Sequence, residues 1–132
     1  MKAIEILRNK APIIHCMTNA VSINDCANIL LACGASPIMA DSIEDAEDIC
    51  SIADALVLNL GMLNPMKAEA MLLAGKTANK KNIPIVLDPV GIGASTFRQK
   101  WANKLLAELK ISLIRGNISE ISFLASGKRG TR

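Results

Sequence analysis

The chain has 132 residues, of which 51% are hydrophobic, 20% are charged and 2% are aromatic, and its formal net charge is +3. This length allows one domain, and the composition is too apolar and too weakly charged for an intrinsically disordered protein. The three aromatic side chains are too few for the stacking platforms of single-stranded nucleic-acid binding. We therefore expect no nucleic-acid partner.

The charge is unevenly distributed along the chain. Residues 1–66 carry three basic and eight acidic side chains, whereas residues 67–132 carry twelve basic and four acidic ones. Solvated helix faces of opposite sign would give this pattern, and so would a second half that binds an anionic ligand such as a nucleotide. The sequence leaves both interpretations open.

The cysteines and the amino terminus indicate the compartment. Cys16, Cys26, Cys33 and Cys50 form no CxxC pair, so the spacing of a zinc site is absent. The amino terminus lacks the pattern of a signal peptide, and the longest nearly apolar run, 27–40, is shorter than the roughly 18 residues that a membrane span needs. Free thiols in such a chain indicate the reducing cytoplasm, with no membrane partner.

Short apolar runs alternate with amphipathic runs along the chain, and this alternation is typical of βαβ units around a parallel sheet. The predicted strands cover residues 12–17, 36–39, 55–60, 84–90 and 112–115. The predicted helices cover residues 4–8, 22–32, 43–52, 65–80, 97–109 and 118–125. The predicted fold class is therefore α/β, with βαβ layers around a parallel sheet of about five strands.

Two glycine motifs invite a nucleotide-binding interpretation, and both depart from the pattern. Gly75-Lys76-Thr77 lacks the glycine that a P-loop has five residues earlier, and it lies inside a predicted helix. The segment 91–96 follows a strand and precedes a helix, but its third glycine position is Thr96 and no acidic residue follows at the required distance. A ligand-binding turn at the carboxyl end of the sheet remains open for this segment.

Candidate phosphate and metal ligands follow the last two predicted strands. Asp88 stands at the tip of a strand, where it either forms a turn with its own backbone or points into the ligand crevice of an open α/β sheet. Asn117 and Glu120 form a capping-box pattern, or Glu120 lies near a hydrated Mg²⁺ while Arg115 contacts a phosphate. Two neighbouring strand ends that each offer a carboxylate favour the metal–phosphate interpretation.

Candidate contacts to a small polar ligand follow the first two strands. Asn19 offers a donor and an acceptor, and Met39 offers a polarizable thioether to an apolar or sulfur-bearing ring. The alternatives are a helix cap for Asn19 and an ordinary core position for Met39. His15, the single histidine, lies in an apolar strand and is predicted to be a satisfied core residue.

Four stretches together resemble the amino-terminal half of the hydroxyethylthiazole kinases, a family of the ribokinase-like superfamily. They are HCMTNAVSINDCANILLACGASPIMA (15–40), DALVLNLGMLN (54–64), IPIVLDPVGIGAS (83–95) and SLIRGNISEISFLASG (112–127). Their order and combination are more specific than any single motif. The resemblance implies that residues 1–132 form an incomplete ribokinase-like kinase domain.

The resemblance also implies an activity and roles for individual residues. The family transfers the γ-phosphoryl group of ATP, with Mg²⁺, to the hydroxyl of 4-methyl-5-(2-hydroxyethyl)thiazole in thiamin salvage, and its members are homotrimers. The implied substrate contacts are Met39 and Asn19, the implied ATP contacts are Arg115 and Asn117, and the implied positions around Mg²⁺ are Asp88 and Glu120.

The chain also departs from the family that it resembles. Its members are roughly twice this long, and their second half supplies the anion hole and the residue that activates the substrate hydroxyl, so the catalytic residue is unknown here. We expect no measurable activity from this chain alone, an exposed apolar edge near the last strand, a disordered tail after about residue 125, marginal stability and self-association. The alternatives are another ribokinase-like vitamin kinase, a nucleotide-dependent hydrate dehydratase, or a non-catalytic binding or assembly module.

Overall fold

The computed structural model of the protein describes residues 2–127. Strands and helices alternate along this part of the chain, as the sequence predicts. The helices are α1 (Ala3–Lys10), α2 (Ile23–Cys33), α3 (Ala46–Ile52), α4 (Pro65–Lys81), α5 (Thr96–Glu108) and α6 (Ile118–Ser126). The strands are β1 (Ile13–Met17), β2 (Ser36–Met39), β3 (Ala55–Asn59), β4 (Ile85–Asp88) and β5 (Leu113–Ile114).

The five strands form one sheet in the order β2-β1-β3-β4-β5, and every neighbouring pair is parallel. The α/β prediction with five strands is therefore confirmed. From β1 the chain runs first to β2 on one side and then returns to β3 on the other side, so the strand order reverses between β1 and β3. In open α/β sheets, ligands bind outside the carboxyl ends of the strands at such a reversal.

Local signals explain where α4 begins and why it contains a glycine. The Asn64 side chain accepts a hydrogen bond from the backbone N–H of Lys67 at 2.9 Å, and Pro65 occupies the first helical position. Gly75 lies in the middle of α4, where an added Cβ would overlap the side chain of Leu109. The glycine of the Gly-Lys-Thr triplet thus serves helix packing, and the triplet is no P-loop.

The two faces of the sheet differ in how well they are covered. Leu56, Leu58, Ile85 and Leu87 are fully buried and form one core with apolar residues of α3, α4 and α5; we call this side the core face. The intervening residues of β3 and β4 point to the opposite side. Val57 and Val86, between the core leucines and isoleucine, are only half-buried, and we call this side the open face.

The structure corrects the predicted start of α3 and adds one short element. Residues 43–45 form a turn before α3 rather than its first residues, because the Ser42 hydroxyl accepts a hydrogen bond from the N–H of Glu44. The glycine-rich segment after β4 contains a short 3₁₀ turn, Ile92–Ala94, which the sequence did not predict. Gly91, with φ +66°, enters this turn in the left-handed conformation that glycine adopts readily.

Apolar side chains are exposed around the last strand, as expected. Leu113 is 57% exposed, and Ile118 at the start of α6 is 86% exposed. The predicted disordered tail includes residues 128–132, which lie outside the described residues. Among residues 2–127, no helix combines the length and the apolar character needed to cross a membrane.

Candidate functional site

Polar side chains meet at the carboxyl ends of four neighbouring strands. Asn19 follows β1, Asn59 ends β3, Asp88 ends β4 and Arg115 follows β5. Because β1, β3, β4 and β5 are adjacent in the sheet, parallel pairing brings residues from distant parts of the sequence to one edge. The sequence analysis singled out Asn19, Asp88 and Arg115, and the structure brings these three together.

Hydrogen bonds join these four side chains into one continuous chain. Asn19 Nδ2 donates to Asn59 Oδ1 at 3.0 Å, and Asn59 Nδ2 donates to Asp88 Oδ2 at 3.0 Å. Arg115 Nη1 donates to the same Asp88 oxygen at 2.9 Å and forms an ion pair with it. The network fixes the Asp88 carboxylate between an amide and a guanidinium group.

Asn59 is the member of this network that the sequence analysis missed. It is 8% exposed, and its Oδ1 also accepts the backbone N–H of Gly61 at 2.9 Å. An added Cβ at Gly61 would lie 2.6 Å from Asn19 Nδ2 and 2.9 Å from Asn59 Oδ1, so glycine leaves room for the two amides. An asparagine at the end of an apolar predicted strand was the available signal.

The environment of Asp88 perturbs its titration. Burial raises the pKa of the Asp88 carboxyl, while the Arg115 charge and the Asn59 hydrogen bond act in the opposite direction and Glu120 acts with burial. Within residues 2–127, the hydrogen bonds to this carboxylate all go to Oδ2. Oδ1 is therefore left for a cation or a hydrated ligand.

Asn117 and Glu120 form the capping box that the sequence allowed. Asn117 Oδ1 accepts the N–H of Glu120, and Glu120 Oε2 accepts the N–H of Asn117, both at 2.9 Å. Glu120 Oε1 also accepts the N–H of Gly91 at 3.1 Å, which ties α6 to the glycine-rich turn after β4. The structural interpretation is confirmed, and it places the Glu120 charge near Asp88.

Asp88 and Glu120 provide two carboxylates rather than a complete metal site. The described residues contain no group of three or more histidine, cysteine, aspartate or glutamate side chains placed to hold a metal ion. A protein commonly holds Mg²⁺ through one or two carboxylates, and phosphate and water complete the octahedron. The residues present therefore fit Mg²⁺ that arrives with a phosphate ligand.

Asn19 organises the turn between β1 and α2. Its Oδ1 accepts the backbone N–H groups of Val21 and Ser22 at 3.0 and 3.2 Å, and the Ser22 hydroxyl donates to it as well. The amide oxygen therefore has a structural role in this turn, while Nδ2 points to Asn59. The helix-cap alternative for Asn19 is wrong: the N-cap of α2 is Ser22, and the Asn19 amide binds the turn that precedes the helix.

Met39 lies apart from the polar network. It ends β2, is half-buried, and pairs in register with Cys16 of β1. Strands β1 and β3 separate β2 from β4, and three inter-strand spacings correspond to about 14 Å. The structure places Met39 and Asp88 at the same end of the sheet without bringing them into contact.

Lys67 is a second residue that the sequence analysis did not single out. It lies in the first turn of α4, is 6% exposed, and its Nζ donates to the backbone carbonyl of Thr18. Burial lowers the pKa of this ammonium group, and the charge of Asp41 opposes the shift. Lys67 therefore ties α4 to the end of β1, next to Asn19.

His15 is a core residue, but the prediction that it is fully satisfied is only half right. Its ring is buried on the core side of β1, and Nε2 donates to the carbonyl of Ala40 at 2.8 Å. Among the described residues, Nδ1 has no hydrogen-bond partner. Burial lowers the pKa of the imidazole, while the Ala40 hydrogen bond and Asp45 oppose the shift.

A cleft of about 170 Å³ adjoins the network on the open face. Residues of α2, β1 and β3 form its apolar wall, and polar strand ends form its rim. The lining residues are Cys16, Thr18, Cys26, Ile29, Leu30, Val57, Asn59, Asp88 and Arg115. Together, the fold and the site define an open parallel α/β domain with a ligand crevice at the carboxyl ends of its strands.

Comparison with known proteins identifies the family. The profile of the hydroxyethylthiazole kinase family matches residues 4–132. The chain is 58% identical over 119 residues to the hydroxyethylthiazole kinase of Clostridium beijerinckii, and 52% identical over 131 residues to that of Ruminiclostridium cellulolyticum. The chain belongs to the hydroxyethylthiazole kinase family.

A solved structure supports the same assignment and shows how much of the family's fold is present. The hydroxyethylthiazole kinase structure from Pyrococcus horikoshii matches 95% of this chain with a TM-score of 0.90 and 41% sequence identity. The match covers 49% of that structure, and the two curated relatives are covered over 43% and 48% of their length. The chain thus spans about half the length of these relatives and aligns with their amino-terminal half.

Proposed function

We propose that this chain supplies substrate and phosphate contacts of a hydroxyethylthiazole kinase. The reaction moves the γ-phosphoryl group of ATP to the hydroxyl of 4-methyl-5-(2-hydroxyethyl)thiazole, for use in thiamin salvage. The observation that carries the proposal is the hydrogen-bonded chain from Asn19 through Asn59 and Asp88 to Arg115, in a member of this family.

The hydrogen-bonded network has two ends, with Arg115 at one and Asn19 at the other. Arg115, whose side chain is 70% exposed, is free to turn part of its guanidinium group towards an anion, and its planar donors match phosphate oxygens. Asn117 lies two residues further along, at the start of α6, and is the second proposed ATP contact. We assign this end of the crevice to the nucleotide.

Mg²⁺ bound with ATP would neutralise charge on the phosphates. Asp88 and Glu120 are the proposed residues around it: Asp88 offers the free Oδ1, and Glu120 acts through water because both its oxygens already accept backbone N–H groups. The Asn59 amide and Arg115 hold the Asp88 carboxylate in one orientation.

Met39 and Asn19 are the proposed thiazole contacts at the other end of the crevice. The thioether of Met39 suits a sulfur-bearing ring. The separation of about 14 Å between β2 and β4 leaves room for the substrate between the methionine and the phosphate end. Lys67 and Asn59 hold the turn that carries Asn19.

Phosphoryl transfer depends on positioning and on charge stabilisation more than on covalent help from the protein. The proposed roles of the residues above are to position the two substrates and to neutralise charge on the phosphates. The proton acceptor for the thiazole hydroxyl and the donors around the migrating phosphoryl group are expected from the half that the relatives carry in addition. We therefore expect no measurable transfer by the 132-residue chain alone, since losing even one such donor costs about 10²–10³ in rate.

A chimera tests the proposal. The 132-residue chain is joined to the part of the Clostridium beijerinckii relative that follows the matched segment, and ATP-dependent phosphorylation of the thiazole alcohol is measured. We expect activity in the chimera and at least a tenfold loss in kcat/KM for Arg115→Ala and Asp88→Asn. Lys100→Ala, an exposed basic residue of α5, is the matched control and should keep full activity.

The outcome that contradicts the proposal is a folded chimera, shown by cooperative unfolding, that phosphorylates no thiazole alcohol. If the Arg115→Ala chimera is as active as the Lys100→Ala control, Arg115 does not contact the phosphates. In the chain alone, we expect weak thiazole binding to survive if the chain forms the homotrimer proposed for the family, and Mg-ATP affinity to be largely lost. Calorimetry that finds tight ATP binding and no response to the thiazole would reverse this order.

A further inference from the structure

The loop between β2 and α3, residues 40–45, is held by a buried histidine where it leaves the sheet. It begins directly after Met39, the last residue of β2, and ends at Asp45, the residue before α3. The carbonyl of Ala40, the first loop residue, accepts the hydrogen bond from His15 Nε2 at 2.8 Å. His15 therefore fixes the backbone immediately after Met39.

The far end of this loop faces the same histidine. Among the described residues, His15 Nδ1 and Asp45 Oδ1 are the buried side-chain polar atoms without a hydrogen-bond partner. Burial lowers the pKa of the imidazole, and the Asp45 charge opposes the shift, so the two groups lie close enough to interact. Since both atoms accept hydrogen bonds when Nε2 carries the hydrogen, one ordered water that donates to both would satisfy them.

Lys67 of α4 connects this loop to the end of β1. Its side chain lines a cavity of about 240 Å³ together with the loop residues Asp41 and Ser42. Burial lowers the pKa of the ammonium group, and the Asp41 charge opposes this shift. The same ammonium group donates to the backbone carbonyl of Thr18, the residue before Asn19. One buried cation thus interacts with both segments that carry the proposed thiazole contacts.

The position of Lys67 is unfavourable for a lysine in two respects. It is the third residue of α4, where the helix dipole favours a carboxylate and opposes a cation. It is also only 6% exposed, and lysine is seldom buried without a charged or polar partner. Local rules of this kind are broken mainly where a functional site requires it. The partners of the charge, Thr18 and Asp41, both lie outside the helix.

We propose that Lys67 and His15 are positioning residues for the thiazole end of the crevice. Together they fix the loop that follows Met39. Lys67 also fixes this loop relative to Thr18, and thereby relative to the turn that Asn19 organises. The consequence for thiazole binding rests on the proposed function, whereas the coupling between the two segments is a property of the chain alone.

Hydrogen exchange, measured residue by residue in the full 132-residue chain, tests the coupling without any substrate. Lys67→Met removes the charge and keeps an unbranched side chain that fills the same space. We expect exchange to become at least tenfold faster at the N–H of Ala40 in the loop and of Ser22 in the turn after β1. Lys80→Met is the matched control, because Lys80 is an exposed lysine in the last turn of the same helix. Its rates should stay within twofold of the unsubstituted chain.

A pair of substitutions at His15 tests the second fixed point. His15→Leu removes the donor to the Ala40 carbonyl, whereas the side-chain amide of His15→Gln keeps an N–H donor there. We expect at least tenfold faster exchange at Ala40 in the leucine variant and a rate within threefold of the unsubstituted chain in the glutamine variant. Ser22 should keep its rate in both, because Lys67 remains in place.

The kinetic consequence is measured in the chimera with the second half of the Clostridium beijerinckii relative. Lys67→Met should raise the KM for the thiazole alcohol at least fivefold and leave the KM for ATP within twofold, because the proposed ATP contacts follow β5 at the other end of the crevice. A variant that is merely less stable would lower the active fraction, and so kcat, without separating the two KM values. Lys80→Met should change neither KM.

Two results would overturn the proposal. One is a Lys67→Met chain that unfolds cooperatively and exchanges at Ala40 and Ser22 as slowly as Lys80→Met. The other is an active Lys67→Met chimera whose KM for the thiazole alcohol equals that of the Lys80→Met control.

A third variant applies if Lys67→Met does not fold. Asp41→Asn removes the opposing charge from an exposed residue and should speed exchange at Ala40 at least threefold, and an unchanged rate there would also contradict the proposal. A folded chimera that phosphorylates no thiazole alcohol contradicts the proposed function instead, and the exchange rates of the chain alone still decide whether Lys67 couples the two segments.

Discussion

The two faces of the sheet are built from alternate residues of the same strands, yet one face is complete and the other is not. Leu56 and Leu58 of β3 are fully buried under α3, α4 and α5, whereas Val57 between them is half-buried. A single residue step along β3 therefore separates the buried core from a face that α2 covers only in part.

This difference shows that the described residues form the sheet and position the site residues, but do not fully cover the site. At β3 and β4 the core face packs within residues 2–127, and these residues, about half of the relatives' length, form the sheet in the order β2-β1-β3-β4-β5. The site residues follow from that strand order. Within residues 2–127, only α2 partly covers the open face, next to which Asp88 and Arg115 lie.

A matched pair of leucine substitutions should show the largest difference in stability between the two faces. Leu58→Ala on the core face removes a fully buried side chain and should lower the free energy of unfolding by about 2–5 kcal/mol. Leu113→Ala on the open face removes a side chain that is 57% exposed, and its effect should stay within about 0.5 kcal/mol. Urea denaturation followed by circular dichroism measures both. Equal losses would show that the open face is as well packed as the core.

A second pair of variants tests how tightly the site network is packed. Gly61→Ala places a Cβ 2.6 Å from Asn19 Nδ2 and 2.9 Å from Asn59 Oδ1, and overpacking of this kind costs about 1–3 kcal/mol. Gly93→Ala is the control, since its added Cβ meets only Phe123 Cδ2 at an ordinary 3.8 Å. Thermal unfolding of the two variants should separate them, and similar midpoints would mean that the amides shift without cost.

Much of this site was predictable from the sequence, and the missing parts have physical reasons. Asp88 and Arg115 were found because they end strands, and strand ends meet at one edge of a parallel sheet. Asn59 was missed because the predicted strand ran on to residue 60 and so placed it inside the strand, whereas β3 ends at Asn59. Lys67 was missed because its partner lies 49 residues away. Periodicity predicts which face a residue occupies, but not which distant carbonyl or carboxylate it will meet.

The pH dependence of the free energy of unfolding tests His15, which is buried on the core face. Burial lowers the pKa of His15 below its ordinary value of 6.5, so the unfolded chain binds more protons than the folded chain as pH falls through 6.5. Stability should therefore fall from pH 6.5 downwards until the folded imidazole also titrates, by at most about 1.4 kcal/mol per pH unit for one group. His15→Gln should flatten this part of the profile, measured by urea midpoints from pH 5 to 8.

The Asp88 carboxyl contributes with the opposite sign, because its raised pKa makes the folded chain bind more protons above pH 3.8. Both proteins of the His15 comparison keep Asp88, so this contribution cancels in the difference between their profiles. If the two profiles run parallel from pH 5 to 8, His15 does not titrate differently in the folded and unfolded chains.

The smallest effect is expected from the ion pair beside the open face. Arg115 and Asp88 are 2.9 Å apart, but the arginine side chain is 70% exposed, and such pairs contribute about 0–1 kcal/mol because water screens them. A double-mutant cycle with Arg115→Ala and Asp88→Asn should give a coupling in this range in the 132-residue chain, and less at high salt. If the second half covers the crevice in the chimera, it lowers the effective dielectric constant there, and the same cycle should give a larger coupling with less salt dependence. Identical couplings in the two proteins would mean that the second half leaves this end of the crevice open to solvent.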